Sequence, residues 1–187
     1  FTLIMKKFLL YSLSIIIILL IGGYLYISLT PRASPLETVN FSQDDKNISI
    51  TYSRPYKKER LIFGNESDGA LVPYEKYWRT GANNHTTIDS DSDLIFKDNI
   101  LPTGTYSIYT FPGKDNWKIV FNETNSFWGI MQPDAEKDLF SISVPSITID
   151  ESIEQFTIDF IPSPPDGPQS NAIRLRWDLT EIVIPFN

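Results

Sequence analysis

The sequence predicts an all-β fold, an antiparallel β-sandwich or partly open barrel, preceded by one N-terminal transmembrane helix. Three observations predict it. Apolar and polar residues alternate with period two again and again after residue 34, a long uncharged apolar run stands before it, and nothing after that run sustains a 3.6-residue period.

The strands come first. Ile48, Ile50 and Tyr52 alternate with Ser49, Thr51 and Ser53, and the pattern returns at Trp117, Ile119, Phe121 and at Phe140, Ile142, Val144. It returns again at Phe156, Ile158, Phe160, at Ile173, Leu175, Trp177 and at Ile182, Ile184, Phe186, which makes six clear strands with one buried face each. Tyr106 to Phe111 is apolar on both faces and reads as a central strand, with Leu94 to Phe96 as its hairpin neighbour. Turn chemistry separates the runs: Phe111-Pro112-Gly113-Lys114-Asp115-Asn116 joins two of them, and residues 162–168 form a stiff proline-rich loop. Short strands punctuated by Pro and Gly, with no helices between them, indicate antiparallel pairing and not βαβ units.

The apolar run extends from Phe8 to Leu29, 22 residues without a charge, long enough at 1.5 Å per residue to cross a hydrocarbon core. Its Leu, Ile and Phe side chains favour insertion by roughly 4 to 8 kcal/mol. Lys6 and Lys7 precede the run, so residues 1–7 are expected in the cytoplasm, with Met5 resembling a start and 1–4 lying upstream of it. Residues 30–34 are then a linker and 35–187 an exported domain, single-pass in an inner membrane with its C-terminal part in the periplasm. The competing reading is a secreted domain freed by signal cleavage. The apolar run exceeds the usual signal core and Ile27-Ser28-Leu29-Thr30 is a poor cleavage site, which favours a retained anchor.

The rest of the chain, about 150 residues, suffices for one domain with its own core. There is no cysteine, so the fold must rely on its apolar core, and the 13% aromatic content supplies one. From residue 34 onward 13 Lys and Arg stand against 23 Asp and Glu, a net charge of −10 that repels phosphate backbones and argues against a nucleic-acid partner.

Several segments together resemble a known family. They are Tyr52-Ser53-Arg54-Pro55, Leu71-Val72-Pro73-Tyr74, Trp78-Arg79-Thr80-Gly81-Ala82-Asn83, Leu101 to Ser107, Phe111-Pro112-Gly113, Phe127-Trp128-Gly129 and the late Trp177. In combination they resemble the bacterial family known as domain of unknown function 2911, over nearly the whole exported part. The resemblance implies an exported protein typical of Bacteroidetes and assigns no activity. The chain departs from the family pattern at Asn84-His85, where Glu-Ala is usual, and at Glu59, where Gly is usual, so no carboxylate role is carried over to Asn84.

The most suggestive constellation lies in that block: Arg54, Arg60, Arg79, Asn83, Asn84 and His85, with Trp78 beside them. Converging arginines and carboxamides grip a small anionic or sugar ligand, and an indole face stacks on one. The same residue types equally tie loops down by bonding backbone carbonyls. Trp128 belongs with Trp78 as an aromatic candidate, because it stands in a loop between Phe127 and Gly129, whereas Trp117 and Trp177 are in phase with buried strand faces.

Catalytic signatures are weak. His85 is the single histidine, so multi-histidine metal sites are excluded, and no Gly-x-Ser-x-Gly elbow accompanies it. Asp89, Asp91 and Asp93 alternate like a calcium loop, but Leu94 and Ile100 stand where such a loop needs Gly and Glu. No cofactor is indicated. The sequence therefore favours a membrane-anchored binding or structural module over the alternative, a hydrolase-like enzyme with a site around Arg54, Arg79, Asn83 and His85.

Overall fold

The computed structural model describes the chain except residues 1, 30–32, 44, 45, 126–128, 165, 168 and 169, and except the side chains of 2, 3 and 27. Two units emerge, residues 1–33 and 34–187.

The first unit is one helix, α1 (Thr2–Leu29). Apolar residues surround its axis with no polar face, and Ile4–Tyr26 forms a 23-residue stretch of mean hydropathy 2.4. Two of its hydroxyls bond within the helix: Ser12 donates to the Phe8 carbonyl at 2.8 Å and Ser14 to that of Leu10 at 2.9 Å. A helix of this length and composition suits a membrane anchor or a signal sequence, since the backbone groups of its middle turns are bonded within it.

The second unit is all-β. In chain order its strands are β1 (Leu36–Gln43), β2 (Lys46–Ser53), β3 (Phe63–Gly64), β4 (Val72–Pro73), β5 (Thr86–Ser90), β6 (Leu94–Phe96), β7 (Asn99–Leu101), β8 (Gly104–Phe111), β9 (Asn116–Asn122), β10 (Asp138–Ile161) and β11 (Asn171–Phe186). Among the described residues seven form one antiparallel sheet in the order β1-β2-β5-β8-β9-β10-β11, curled into a half-barrel. Two small pairs, β3 with β4 and β6 with β7, complete it.

The predicted strands are all present, but four of the six alternating runs belong to only two strands. Phe140–Val144 and Phe156–Phe160 lie on the 24-residue β10, which pairs with β9 along its first third and with β11 beyond. Register shifts between Thr148 and Ile153 and between Ile153 and Thr157 bend it. On β11 the buried positions switch from odd (Ile173, Leu175, Trp177) to even (Ile182, Ile184, Phe186), and the switch falls at Asp178, whose φ of 52° marks an irregularity. One extra residue there turns the remainder of the strand over.

β8 is the middle strand, as its two-faced apolar pattern predicts, with Ser107, Ile108, Tyr109 and Thr110 all buried. Its neighbours are β5 and β9, however, and not Leu94–Phe96, which pairs with Asn99–Leu101 through a tight turn at Lys97 (φ 54°). Leu94, Phe96 and Leu101 dip into the core, and that burial outweighs a second ladder with β8. Asp91 and Asp93 lie past the end of β5 and cap turns, accepting from Asn47 and from the Thr103 amide, so only Asp89 stands on a strand face.

The concave face holds the core in two aromatic groups. Phe63, Trp78, Trp117, Phe156 and Trp177 pack with ring centroids 4.9 to 6.0 Å apart. Phe41, Phe96, Phe121, Phe140, Phe160 and Phe186 form the other, with Phe96 and Phe121 closest at 4.7 Å. At about 1.5 to 3 kcal/mol per fully buried large side chain these groups dominate the stability of a domain without disulfides. The convex face carries the polar residues of the same strands.

Candidate functional site

The segment between β4 and β5 crosses the end of β2 and carries most of the candidate residues. It is anchored at Trp78, whose amide donates to the Thr110 carbonyl at 2.8 Å and whose carbonyl accepts from the Thr110 amide at 2.8 Å. The indole is thereby drawn into the core at 7% exposure, stacked 5.9 Å from Trp177, with Nε1 donating to the Gly81 carbonyl at 3.0 Å.

After Trp78 the chain bends through left-handed conformations at Thr80 (φ 57°) and Asn83 (φ 60°), with Gly81 at 149° between them. Such angles are costly for a β-branched residue and are held by local bonds. The Thr80 hydroxyl donates to Thr110 Oγ1 at 3.2 Å, and the Thr86 hydroxyl to the Thr80 carbonyl at 2.6 Å. Gly81 lies so close to β2 that a Cβ there would stand 2.8 Å from the Ser53 carbonyl oxygen. This explains chemically why small residues fill the bend.

The bend places Arg79, Asn83 and His85 against the segment 129–131. The Gly129 amide donates to the Asn83 carbonyl at 2.9 Å, and a Cβ at Gly129 would meet Arg79 Cδ at 2.9 Å. Tyr77 seals the contact, its hydroxyl 3.2 Å from both the Gly129 and the Met131 carbonyl oxygens. Asn83 Nδ2 reaches the Ser34 carbonyl at 3.4 Å, and Asn84 points to solvent.

Arg79 is half-buried, and among the described residues its guanidinium makes a single long bond, Nη1 to the Asn83 carbonyl at 3.4 Å. Among the described residues no carboxylate pairs with it. His85 is buried at 4% exposure, 6.4 Å from the Tyr77 ring. Burial pushes its imidazole below the ordinary value; the Met131 backbone opposes this and the nearby Arg79 charge reinforces it. Arg79 is thus a half-buried cation beside a neutral imidazole.

Further along the convex face lies a polar cluster whose connectivity the sequence does not announce. The Tyr109 ring is 5.6 Å from that of Tyr77, and its hydroxyl stands 2.8 Å from each Asp138 carboxylate oxygen. Asn122 Nδ2 donates to the Asp138 carboxylate and to the Asp134 carbonyl, both at 2.8 Å. Burial raises the phenol of Tyr77 to about 12; burial and Asp138 push that of Tyr109 higher still. Both stay protonated and donate. Ser107 is fully buried between Thr87 and Asn122, and among the described residues its hydroxyl has no hydrogen-bond partner.

Arg54 and Arg60 belong to a different place. Arg54 joins three elements: Nη1 lies 2.7 Å from Glu37, Nε donates to the Phe156 carbonyl at 3.1 Å and Nη2 to Thr157 Oγ1 at 2.9 Å. Arg60 closes its own loop, with Nε bonded to the Lys57 carbonyl at 2.9 Å and Nη2 to that of Tyr56. Trp128 lies outside the described residues. A third arginine group, Arg174 and Arg176 on β11, grips Asp159 of β10, with Arg174 Nε and Nη2 at 2.8 and 2.7 Å and Arg176 Nη2 at 2.8 Å. The only sequence signal for it is the Arg-Leu-Arg alternation on one strand face. Among the described residues no group of three or more His, Asp or Glu is arranged to hold a metal.

The family described as "Protein of unknown function (DUF2911)" matches residues 34–186. No curated protein and no solved structure matches the chain.

Proposed function

We propose, for a chain that belongs to the DUF2911 family, a role as a membrane-tethered binding module whose ligand is a small anion or acidic sugar held at Arg79. One observation carries this reading: among the described residues Arg79 is half-buried with one 3.4 Å bond and no carboxylate partner, a local positive site in a domain whose net charge of −10 otherwise repels anions. A buried cation costs free energy unless it is paired, and a bound anion supplies the pair. The strained bend and the neighbouring 129–131 segment preorganise the place, with Asn84 exposed at its rim. The alternative hydrolase needs Arg54 at the same site, whereas that guanidinium is occupied by Glu37, Phe156 and Thr157.

The test is a thermal-shift titration of the full chain in detergent with sulfate, phosphate, citrate and glucuronate. At about 100 times its dissociation constant a binder adds roughly 2.7 kcal/mol of stability, and the gain should vanish in Arg79→Ala. No protection by any of the four, or equal protection of the variant, would remove Arg79 from the proposal.

The tether is the second half of the reading. The uncharged run of α1 from Phe8 onward, with Lys6 and Lys7 before it, supports an inner-membrane anchor with the β domain in the periplasm. Protease added to spheroplasts should digest the β domain; a domain protected until the membrane is lysed would reverse the orientation.

A further inference from the structure

β1 is one edge of the sheet, and it ends in a seam and not in open solvent. The Pro35 carbonyl accepts from the Arg54 amide at 2.8 Å, so odd-numbered residues of β1 turn their backbone groups toward β2. The N–H and C=O groups of Thr38, Asn40 and Ser42 therefore face outward. Across the seam β10 does the same. The Phe156 amide donates to the Pro55 carbonyl and the Ile158 amide to the Tyr52 hydroxyl, so the backbone of Phe160, next in the alternation, points back toward β1.

Among the described residues, side chains bridge the seam at its two ends. Arg54, Glu37 and Tyr52 span one end, and Gln43 Nε2 reaches Ser163 Oγ at 3.3 Å at the other. Between them lies a cleft of about 510 Å³ whose floor is Val39, Phe41 and Phe160 and whose rim is Asn40, Ser42 and Asp159. The carboxylates beside the cleft are paired, Glu37 with Arg54 and Asp159 with both Arg174 and Arg176. β1 carries few of the devices that guard an edge: from Leu36 to Gln43 there is no proline, no lysine and no break in register with β2, and its one charge, Glu37, lies at the Arg54 end.

We propose that this seam binds an extended peptide segment of a partner protein by strand addition to the edge of β1. The groups left to recognise an occupant are main-chain donors and acceptors at strand spacing, and an extended main chain complements them. The apolar floor of Val39, Phe41 and Phe160 selects a segment with apolar residues at alternate positions. A second copy of the whole sheet does not suit the place, because β10 and the Gln43–Ser163 bridge flank the edge. The inference is independent of the Arg79 site.

The experiment follows amide exchange of the full chain in detergent micelles, with acetylated and amidated pentapeptides Thr-Val-Thr-Val-Thr and Ser-Phe-Thr-Ile-Ser as probes. In the free protein the amides of Asn40 and Ser42 should exchange like loop amides while those of Val39 and Phe41 are protected. A probe should slow the first pair by about tenfold or more, and its alternately N-methylated counterpart should not. Asn40→Pro, which removes an outward N–H, should weaken the probe by about tenfold and leave the melting temperature in place; Ser42→Pro serves if that variant does not fold. Asn40 and Ser42 amides already protected in dilute free protein, protection that appears only as protein concentration rises, equal binding of the N-methylated peptide, or no slowing by either probe would each overturn the proposal.

Discussion

Arg54 and Arg79 follow the ends of neighbouring segments, sit in family-signature blocks of the sequence, and are buried to similar degrees, yet the fold uses them in opposite ways. Arg54 meets a carboxylate, a carbonyl and a hydroxyl from β1 and β10 and so ties the edge strand β1 to β10 across the curl of the sheet. Arg79 meets one carbonyl four residues along its own chain. The difference teaches that residue type alone does not reveal an arginine's use; its partners do, and among the described residues Arg79 engages one of its five donors where Arg54 engages three.

The largest expected effect concerns the bend that presents Arg79. Gly81→Ala places a Cβ 2.8 Å from the Ser53 carbonyl at φ 149°, and should cost about 3 kcal/mol or more, read as a lowered denaturant midpoint. A neutral outcome would show that the bend relaxes and is not a preorganised scaffold.

Next comes Arg54→Ala. It leaves Glu37 and the Phe156 carbonyl without their partner and should cost about 1 to 3 kcal/mol in chemical denaturation, discounted toward the lower end because a quarter of the side chain is exposed.

How much of this was legible in the sequence follows from which interactions are local. The alternation of apolar residues reports burial strand by strand, so the all-β class, the central β8 and the core positions of Trp117 and Trp177 could be read directly. What a strand pairs with is set at long range. Nothing near Leu94 says that it pairs with Leu101 and not with β8, and the two halves of β10 look like separate strands because bulges at Thr148–Thr157 interrupt their pattern. The parity change between Trp177 and Ile182 was the one local sign of such a bulge. At the site, the Trp-Arg-Thr-Gly-Ala-Asn block marked the bend, but its anchoring to Thr110, which buries Trp78, depends on a residue 32 positions away. The Tyr109–Asp138–Asn122 cluster and the Arg174–Arg176–Asp159 group likewise join residues from different strands.

A smaller and reversible effect tests the electrostatics around Arg79. His85 binds its proton less tightly in the folded chain than in the unfolded one, so the unfolded chain takes up more protons as pH falls through about 6.5. Stability should be constant above that pH and decline below it until the folded-state value is passed, by at most about 1.4 kcal/mol per pH unit for this one group. His85→Gln should flatten that part of the stability profile. An unchanged profile would assign the pH dependence to other groups and leave the imidazole charged beside Arg79.

The smallest effect is the most informative. Arg79→Ala should change intrinsic stability by less than about 0.5 kcal/mol, because only one weak bond is lost. The direct measurement is therefore a side-by-side melt of the full chain, Arg54→Ala and Arg79→Ala, each with and without whichever of sulfate, phosphate, citrate or glucuronate protects the wild type. The account predicts that Arg54→Ala melts several degrees lower but keeps its ligand shift, while Arg79→Ala melts with the wild type and loses the shift. An Arg79→Ala protein that melts several degrees low and still responds to the anion would contradict it.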